Sequence, residues 1–184
     1  MTLETTGVQM HDLLRELFPI CRSITGLGVR QTLEIIGREV DGLVQIEVPS
    51  GTEVFDWVVP NEWNLNKAYL IDPNGRKLCD TNNNNLHLVG YSVPIKTKLS
   101  LDKLKPHLHT LPDRPDTIPY VTSYYKERWG FCLTHKDYES LVDGEYEVHI
   151  DTTLEPGHLT YGEVVLEGDS DKEIFFSTYV CHPS

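Results

Sequence analysis

The sequence predicts an α/β fold in which a β-rich domain is inserted into a lobe of helices and strands. Apolar residues recur at helical spacing in the first forty residues, and from Leu43 they alternate with polar residues as in a strand. Residues 174–180 form a continuous, mostly apolar run, which is typical of a strand buried on both faces of a sheet. We therefore assign residues 1–53 to the first part of the lobe, residues 54–151 to the inserted domain and residues 152–184 to the returning strands of the lobe.

Charge and composition limit the classes of partner. The chain has 184 residues and a formal net charge of −12, so phosphate backbones and anionic lipid surfaces repel it. We expect neither nucleic acid nor membrane as a partner. The first ten residues carry no basic run or apolar segment of a secretory signal, which predicts a cytoplasmic protein. Four cysteines that are far apart in sequence are expected to be reduced thiols: Cys21, Cys79, Cys132 and Cys181.

Two helices with a short loop between them are predicted at the N-terminal end. The first contains an apolar face from Met10 to Leu17, has capping-box spacing at Thr6 and Gln9, and stops at Pro19. The second covers residues 28–40. The loop, residues 21–26, either presents donors to an anionic group or simply caps the second helix through Ser23 or Thr25, and composition favours the cap.

The middle of the chain is rich in strand and turn signals. Strands are predicted at residues 43–48 and 146–150, with shorter candidates listed below, and Asp72-Pro73-Asn74-Gly75 predicts a hairpin turn. A helical turn is expected after Ser100, and Thr134 with Asp137 should cap a short helix. The shorter strand candidates are residues 54–59, 68–71, 86–89, 120–123, 129–133 and 162–168.

His182 is the best single candidate for a metal ligand because it follows the apolar run 174–180, and open α/β sheets build their sites at strand ends. One histidine there is weak evidence by itself, because histidine is also a common polar strand terminator and general base. His107 and His109 have a spacing that real metal sites use, but the same spacing arises freely in loops. Cys21 beside Arg22 is a candidate for a lowered thiol pKa, although packing is the simpler interpretation. The chain contains no GxSxG, GxxxxGK, GxGxxG or HExxH motif.

Three longer stretches carry a family resemblance: residues 17–26 (LFPICRSITG), 48–63 (VPSGTEVFDWVVPNEW) and 176–184 (FSTYVCHPS). Residues 119–125 and 129–132 fit the same pattern. Together they resemble the bacterial aminopeptidase-like family found near polysaccharide-biosynthesis functions, which is related to the cocatalytic dizinc aminopeptidases.

The resemblance implies a zinc-aminopeptidase-like lobe with an inserted β-rich domain, and it implies His182 as the first zinc ligand. In such enzymes a bridging aspartate, a glutamate base and further ligands follow, whereas this chain ends two residues after His182. The expectation is a truncated chain that is catalytically inactive and binds zinc weakly or not at all, taken from a parent hydrolase that acts on a peptide or amide. Substrate-binding residues are not assigned, and homo-oligomerisation is left open.

A non-catalytic alternative also fits the sequence. The β-rich domain would bind a saccharide or a protein partner through exposed aromatic rings, and the metal site would be vestigial. The candidate rings are those of Tyr124, Tyr125 and Trp129.

Overall fold

A computed structural model describes residues 3–182 and places them in two compact units. Within the described range, residues 3–62 and 156–182 form unit 1, and residues 63–155 form unit 2. Among these residues no helix combines the length and the apolar character needed to cross a bilayer.

Helix α1 of unit 1, Leu3–Leu17, begins earlier than the sequence predicts. Thr6 and Gln9 lie inside the helix, so the predicted capping box is wrong. The predicted apolar face is also largely wrong, because Met10 and Leu14 are exposed and only Leu17 at the end of the helix is buried.

Helix α2, Leu27–Ile36, buries Val29, Thr32, Leu33 and Ile35 and ends four residues before the predicted limit. Its N-cap is Gly26, at a φ of 96°, and no side chain caps it. The predicted caps Ser23 and Thr25 are therefore wrong. Both are buried, and Thr25 instead forms an isolated antiparallel bridge with Leu159.

One antiparallel strand pair completes the regular structure around these helices. Strand β1, Val44–Pro49, confirms the predicted strand within one residue and pairs with β10, His158–Glu163, from Val44 opposite Glu163 to Pro49 opposite His158. The predicted strand at 162–168 is wrong beyond Glu163, where β10 ends. The candidate 54–59 is split into a small hairpin of β2, Glu53–Val54, and β3, Trp57–Val58.

The prediction of a buried strand at 174–180 is wrong. These residues have no assigned strand, and the side chains of Ile174, Phe175 and Phe176 are between 82% and 89% exposed. A strand that is apolar on both faces needs neighbouring strands for its backbone and covering elements for its side chains. The described residues supply neither.

Unit 2 is built on a four-stranded sheet. Its strands are β4 (Glu62–Ile71), β5 (Lys77–Leu78), β6 (Ile95–Ser100) and β9 (Glu145–Glu155). In the sheet they lie in the order β5-β4-β9-β6. Alternate residues Tyr146, Val148 and Ile150 are buried, as their spacing predicts. The predicted turn joins β4 to β5, where the Asp72 carboxylate accepts the backbone N–H of Asn74 at 2.9 Å and that of Arg76 at 2.8 Å.

Short elements complete unit 2. Helix α3, Leu101–Leu104, follows Ser100 as predicted, and α4, His135–Glu139, is capped by Thr134 Oγ1, which accepts the Asp137 N–H at 3.0 Å. Strand β7, Leu108–His109, pairs in parallel with β8, Phe131–Cys132. The candidates 86–89 and 120–123 are not strands. A 3-10 turn covers Asn85–His87, and only single bridges form, from Leu88 to Phe131 and from Gly90 to Thr122.

Candidate functional site

His182 lies at the end of segment 174–182, which contains no helix or strand, and is half-buried in unit 1. Its imidazole ring faces the ring of Tyr179, with centroids 4.9 Å apart and planes tilted by 51°. His182 therefore does not follow a strand, as predicted, but ends an irregular segment that has no sheet partner among the described residues.

The described side chains around His182 do not form a zinc site. Within residues 3–182 no group of three or more His, Cys, Asp or Glu side chains is close enough to hold a metal ion. Catalytic zinc takes three protein ligands and a water molecule. The neighbouring Cys181 is half-buried, and burial raises the pKa of its thiol while Arg22 opposes that rise. A metal at His182 would thus need ligands from outside the described residues.

Arg22 ties the segment that carries His182 to the loop after α1. Its Nε donates to the Val180 carbonyl at 2.9 Å, across 158 positions of sequence, and its Nη1 donates to the Leu17 carbonyl at 2.6 Å. The Leu17 carbonyl is the last of α1, where helix carbonyls lack an intrahelical partner and attract cations. The loop 21–26 does not cap α2 through a hydroxyl. It positions a guanidinium between two parts of unit 1.

Replacing Arg22 should loosen the chain around His182. In Arg22→Met the hydrogen bond to the Val180 carbonyl is lost, and we expect chymotrypsin to cleave after Tyr179 about tenfold faster, because bonds from charged donors contribute about 1.5 kcal/mol or more. Arg15→Met, which removes a 72% exposed side chain on α1, is the matched control and should leave the cleavage rate unchanged. Equal cleavage rates in the two variants would show that Arg22 does not hold the segment. Limited proteolysis followed by mass spectrometry measures both rates.

The thiol of Cys21 is not activated by the neighbouring arginine. Burial raises its pKa to about 11, and the opposing effect of Arg22 is smaller. Burial likewise raises the pKa of Cys132 to about 12 and raises that of Cys79. All four cysteines are free, as predicted. Thiols held protonated by burial are poor nucleophiles, so these side chains are packed groups of the fold.

Titration of Cys21 should lower stability at high pH. Between pH 9 and 11 the unfolded chain loses the thiol proton while the folded chain keeps it, so the free energy of unfolding falls as pH rises through that window. Urea unfolding at pH 8 and at pH 10 tests this. The fall should be smaller in Cys21→Ala than in the unmodified chain, and an identical fall in both would contradict the assignment.

The two histidines at 107 and 109 are engaged in packing. The His107 ring stacks on Trp129 with centroids 3.7 Å apart and planes within 4°, and its Nδ1 is 3.1 Å from the Trp129 carbonyl. Burial, followed by the nearby Arg128, lowers the pKa of His109. No carboxylate or thiol of the described residues completes a metal-binding group with them.

The three aromatic rings that the non-catalytic alternative assigns to ligand binding differ in their exposure to solvent. Tyr124 packs edge-on against Tyr91 at 5.2 Å and Tyr125 at 6.1 Å, and Trp129 is covered by His107. Only Tyr125, at 77% exposed, offers an open surface.

A concave surface that was not predicted lies on the solvent side of the four-stranded sheet. It has a volume of about 480 Å³. It is lined by Lys67, Tyr69, Lys96, Lys98, Glu147 and His149, together with Thr97 and Val148. The sequence did carry a signal for this surface. Lys96 and Lys98 alternate along β6, and the two-residue period of β9 places His149 on the face of the sheet away from the buried Val148 and Ile150.

Comparison with known proteins identifies the middle of the chain. Residues 62–153 match the family described as "Domain of unknown function (DUF2172)". The chain belongs to the DUF2172 family. The DUF2172 region contains the four-stranded sheet and the concave surface on it.

Relatives extend this similarity to nearly the whole chain. A protein of Clostridium acetobutylicum named "Putative polysaccharide biosynthesis protein with aminopeptidase-like domain" is 53% identical over 179 residues. That match covers 97% of this chain and 41% of the relative. A crystal structure described as a "putative peptidase" from Clostridium acetobutylicum has a TM-score of 0.82 at 55% identity, and the match covers 86% of this chain and 37% of that one. The resemblance predicted from the sequence is thereby confirmed, and the chain spans about two fifths of the length of the relatives it matches.

Proposed function

We propose that this chain is the N-terminal part of an aminopeptidase-like hydrolase in which the DUF2172 region is an inserted domain and His182 is the first metal ligand. The observation that carries the proposal is the 53% identity over 97% of the chain to a protein whose name includes an aminopeptidase-like domain. Identity at this level over such a length supports a shared fold and a shared arrangement of the matched residues. The role of the whole protein in cleaving an N-terminal peptide bond is part of the same proposal.

The number of ligands that zinc needs indicates which part of the complete protein would supply each of them. Zinc, when bound in the complete protein, would polarise the substrate carbonyl and supply a hydroxide. This chain contributes His182, and Arg22 holds the backbone two residues before it. Since catalytic zinc needs about three protein ligands, the others would come from the part of the relatives that this chain does not cover.

The chain taken alone should therefore bind zinc weakly and hydrolyse nothing. Calorimetric titration with zinc at neutral pH is the test, and we expect a dissociation constant well above the micromolar range. Submicromolar stoichiometric binding that disappears in His182→Ala would reveal further ligands near His182. The same binding retained in His182→Ala but lost on replacing His107 and His109 would place the site in unit 2.

A binding function of unit 2 is the second candidate, and the exposure of Tyr125 favours it. An aromatic ring that is 77% exposed can stack on a sugar or pack against a protein partner. Under this alternative the complete protein would show no chelator-sensitive turnover of aminoacyl substrates, and Tyr125→Ala would abolish binding of the partner. Under the hydrolase proposal Tyr125→Ala leaves turnover unchanged.

A further inference from the structure

The solvent side of the four-stranded sheet carries a row of two stacked rings with a lysine at each end. Lys77 on β5 lies 4.5 Å from the centroid of the Tyr69 ring on β4, and that ring stacks on His149 of β9 at 4.8 Å and 7°. Lys96 on the edge strand β6 is directly opposite His149 in the ladder. Side chains of all four strands thus meet in one row that crosses the sheet.

The cations on this face differ in whether they are neutralised. Lys98 is held by Glu147 at 2.7 Å, and Lys77 is held by Asp80 at 3.2 Å. Within the described range neither Lys67 nor Lys96 forms an ion pair, and both line the 480 Å³ concavity. The chain has 28 acidic against 16 basic residues, and Lys67 and Lys96 place two cations without an ion pair among the described residues beside one hollow.

The position of Glu147 directs an anion to one side of the hollow. Lys98, through its hydrogen bond and charge, and more weakly the charge of Lys96, lower the pKa of Glu147. The negative charge of Glu147 therefore repels an anion most strongly at Lys98, with which it forms an ion pair, and less at Lys67 and Lys96, with which it forms none. At physiological salt, charges more than about 8 Å away are largely screened, so the overall charge of −12 does not cancel this local attraction.

We propose that this face of the DUF2172 region binds a small organic anion with one carboxylate or phosphate group, held by Lys67 and Lys96. The volume of 480 Å³ falls within the range of small-molecule sites and exceeds what a bare inorganic ion fills. The half-buried rings of Tyr69 and His149 and the lysine stems form a partly apolar floor for the carbon skeleton. The proposal is independent of the hydrolase proposal, since it involves none of the residues around His182.

An NMR titration of the whole chain tests the proposal with four probes: glucuronate, glucose 6-phosphate, inorganic phosphate and neutral glucose. We expect glucuronate, glucose 6-phosphate or both to bind with millimolar affinity and to shift the amide signals of Lys67, Lys96 and His149. Comparison of these two probes distinguishes a carboxylate ligand from a phosphate ligand. Glucose, which is neutral, should shift none of these signals. In Lys67→Gln/Lys96→Gln the affinity should fall about tenfold, because both cations that hold the anionic group are lost. The matched control, Lys103→Gln/Lys126→Gln, changes two exposed lysines of unit 2 outside the concavity and should bind like the unmodified chain.

Three results would overturn the proposal. The first is the absence of a shift with either organic anion at about 20 mM, since a millimolar site would then be mostly filled. The second is an equal loss of affinity in both double variants, which would show non-specific attraction to lysines. The third is equal affinity for inorganic phosphate and the organic anions, which would show that the partly apolar floor contributes nothing to binding.

Discussion

Replacing Gly28 by alanine should destabilise unit 1 by about 2–3 kcal/mol, because a β-carbon there would overlap the main chain of the preceding loop. It would collide with the Cys21 carbonyl oxygen and stand 2.9 Å from the Arg22 Cα. The obstacle is backbone on both sides, so no side-chain rotation relieves it. The loop would have to move, and the Arg22 contacts to Leu17 and Val180 would move with it.

Gly7→Ala is the matched control because it makes the same chemical change in a helix with open space. Apart from its chain neighbours and the backbone of its own helix, no described atom lies within 4 Å of the β-carbon it would add. Alanine is favoured over glycine in a helix interior by about 1 kcal/mol, so Gly7→Ala should leave stability unchanged or raise it slightly. Urea unfolding of both variants gives the comparison. A Gly28→Ala variant as stable as Gly7→Ala would show that the loop does not pack against the start of α2 as described.

Removing the guanidinium of Arg30 should cost about 3 kcal/mol of unfolding free energy. Arg30 meets Glu62 through two hydrogen bonds, of 2.6 Å and 3.1 Å, and the two side chains are only 21% and 13% exposed. The Glu62 carboxylate also accepts the backbone N–H of His158 at 3.1 Å. Arg30→Met takes the cation away from a carboxylate that remains largely buried.

A surface ion pair of the same unit provides the control. Arg38 and Glu16 are 2.9 Å apart, yet their side chains are 64% and 49% exposed. Arg38→Met should therefore cost less than about 0.5 kcal/mol. In Arg30→Met/Glu62→Leu the buried charge is gone as well, and we expect more than half of the lost stability to return. Equal costs for Arg30→Met and Arg38→Met would contradict a role for burial in the Arg30–Glu62 pair.

Local chemistry made several elements predictable from sequence. The turn at Asp72 and the cap of α4 at Thr134 depend on hydrogen bonds between residues two to four positions apart, and both were predicted. Strand β1 was predicted because its alternation is uninterrupted up to Pro49. The four free cysteines were predicted because the sequence has no CxxC pair and no secretory signal.

Features that depend on distant contacts were mispredicted or missed. The apolar run 174–180 has the composition of a buried strand, but burial requires partners that composition does not reveal. The cap of α2 was assigned to Ser23 or Thr25 because hydroxyls favour that position, whereas tertiary packing buries both and leaves Gly26 as the cap. The contact from Arg22 to Val180 spans 158 positions and has no local signature. The concave surface on the four-stranded sheet brings together residues from β4, β6 and β9, so no contiguous sequence motif marks it.

Hydrolysis of aminoacyl p-nitroanilides by the complete protein, with and without a chelator, tests the hydrolase proposal most directly. We expect turnover that the chelator abolishes and that falls at least a hundredfold in His182→Ala, since loss of a ligand removes most of the bound metal. His11→Ala, which changes an exposed histidine on α1, should retain full turnover. Turnover that is insensitive to the chelator, or a His182→Ala variant as active as His11→Ala, would contradict the assignment of His182 as a metal ligand.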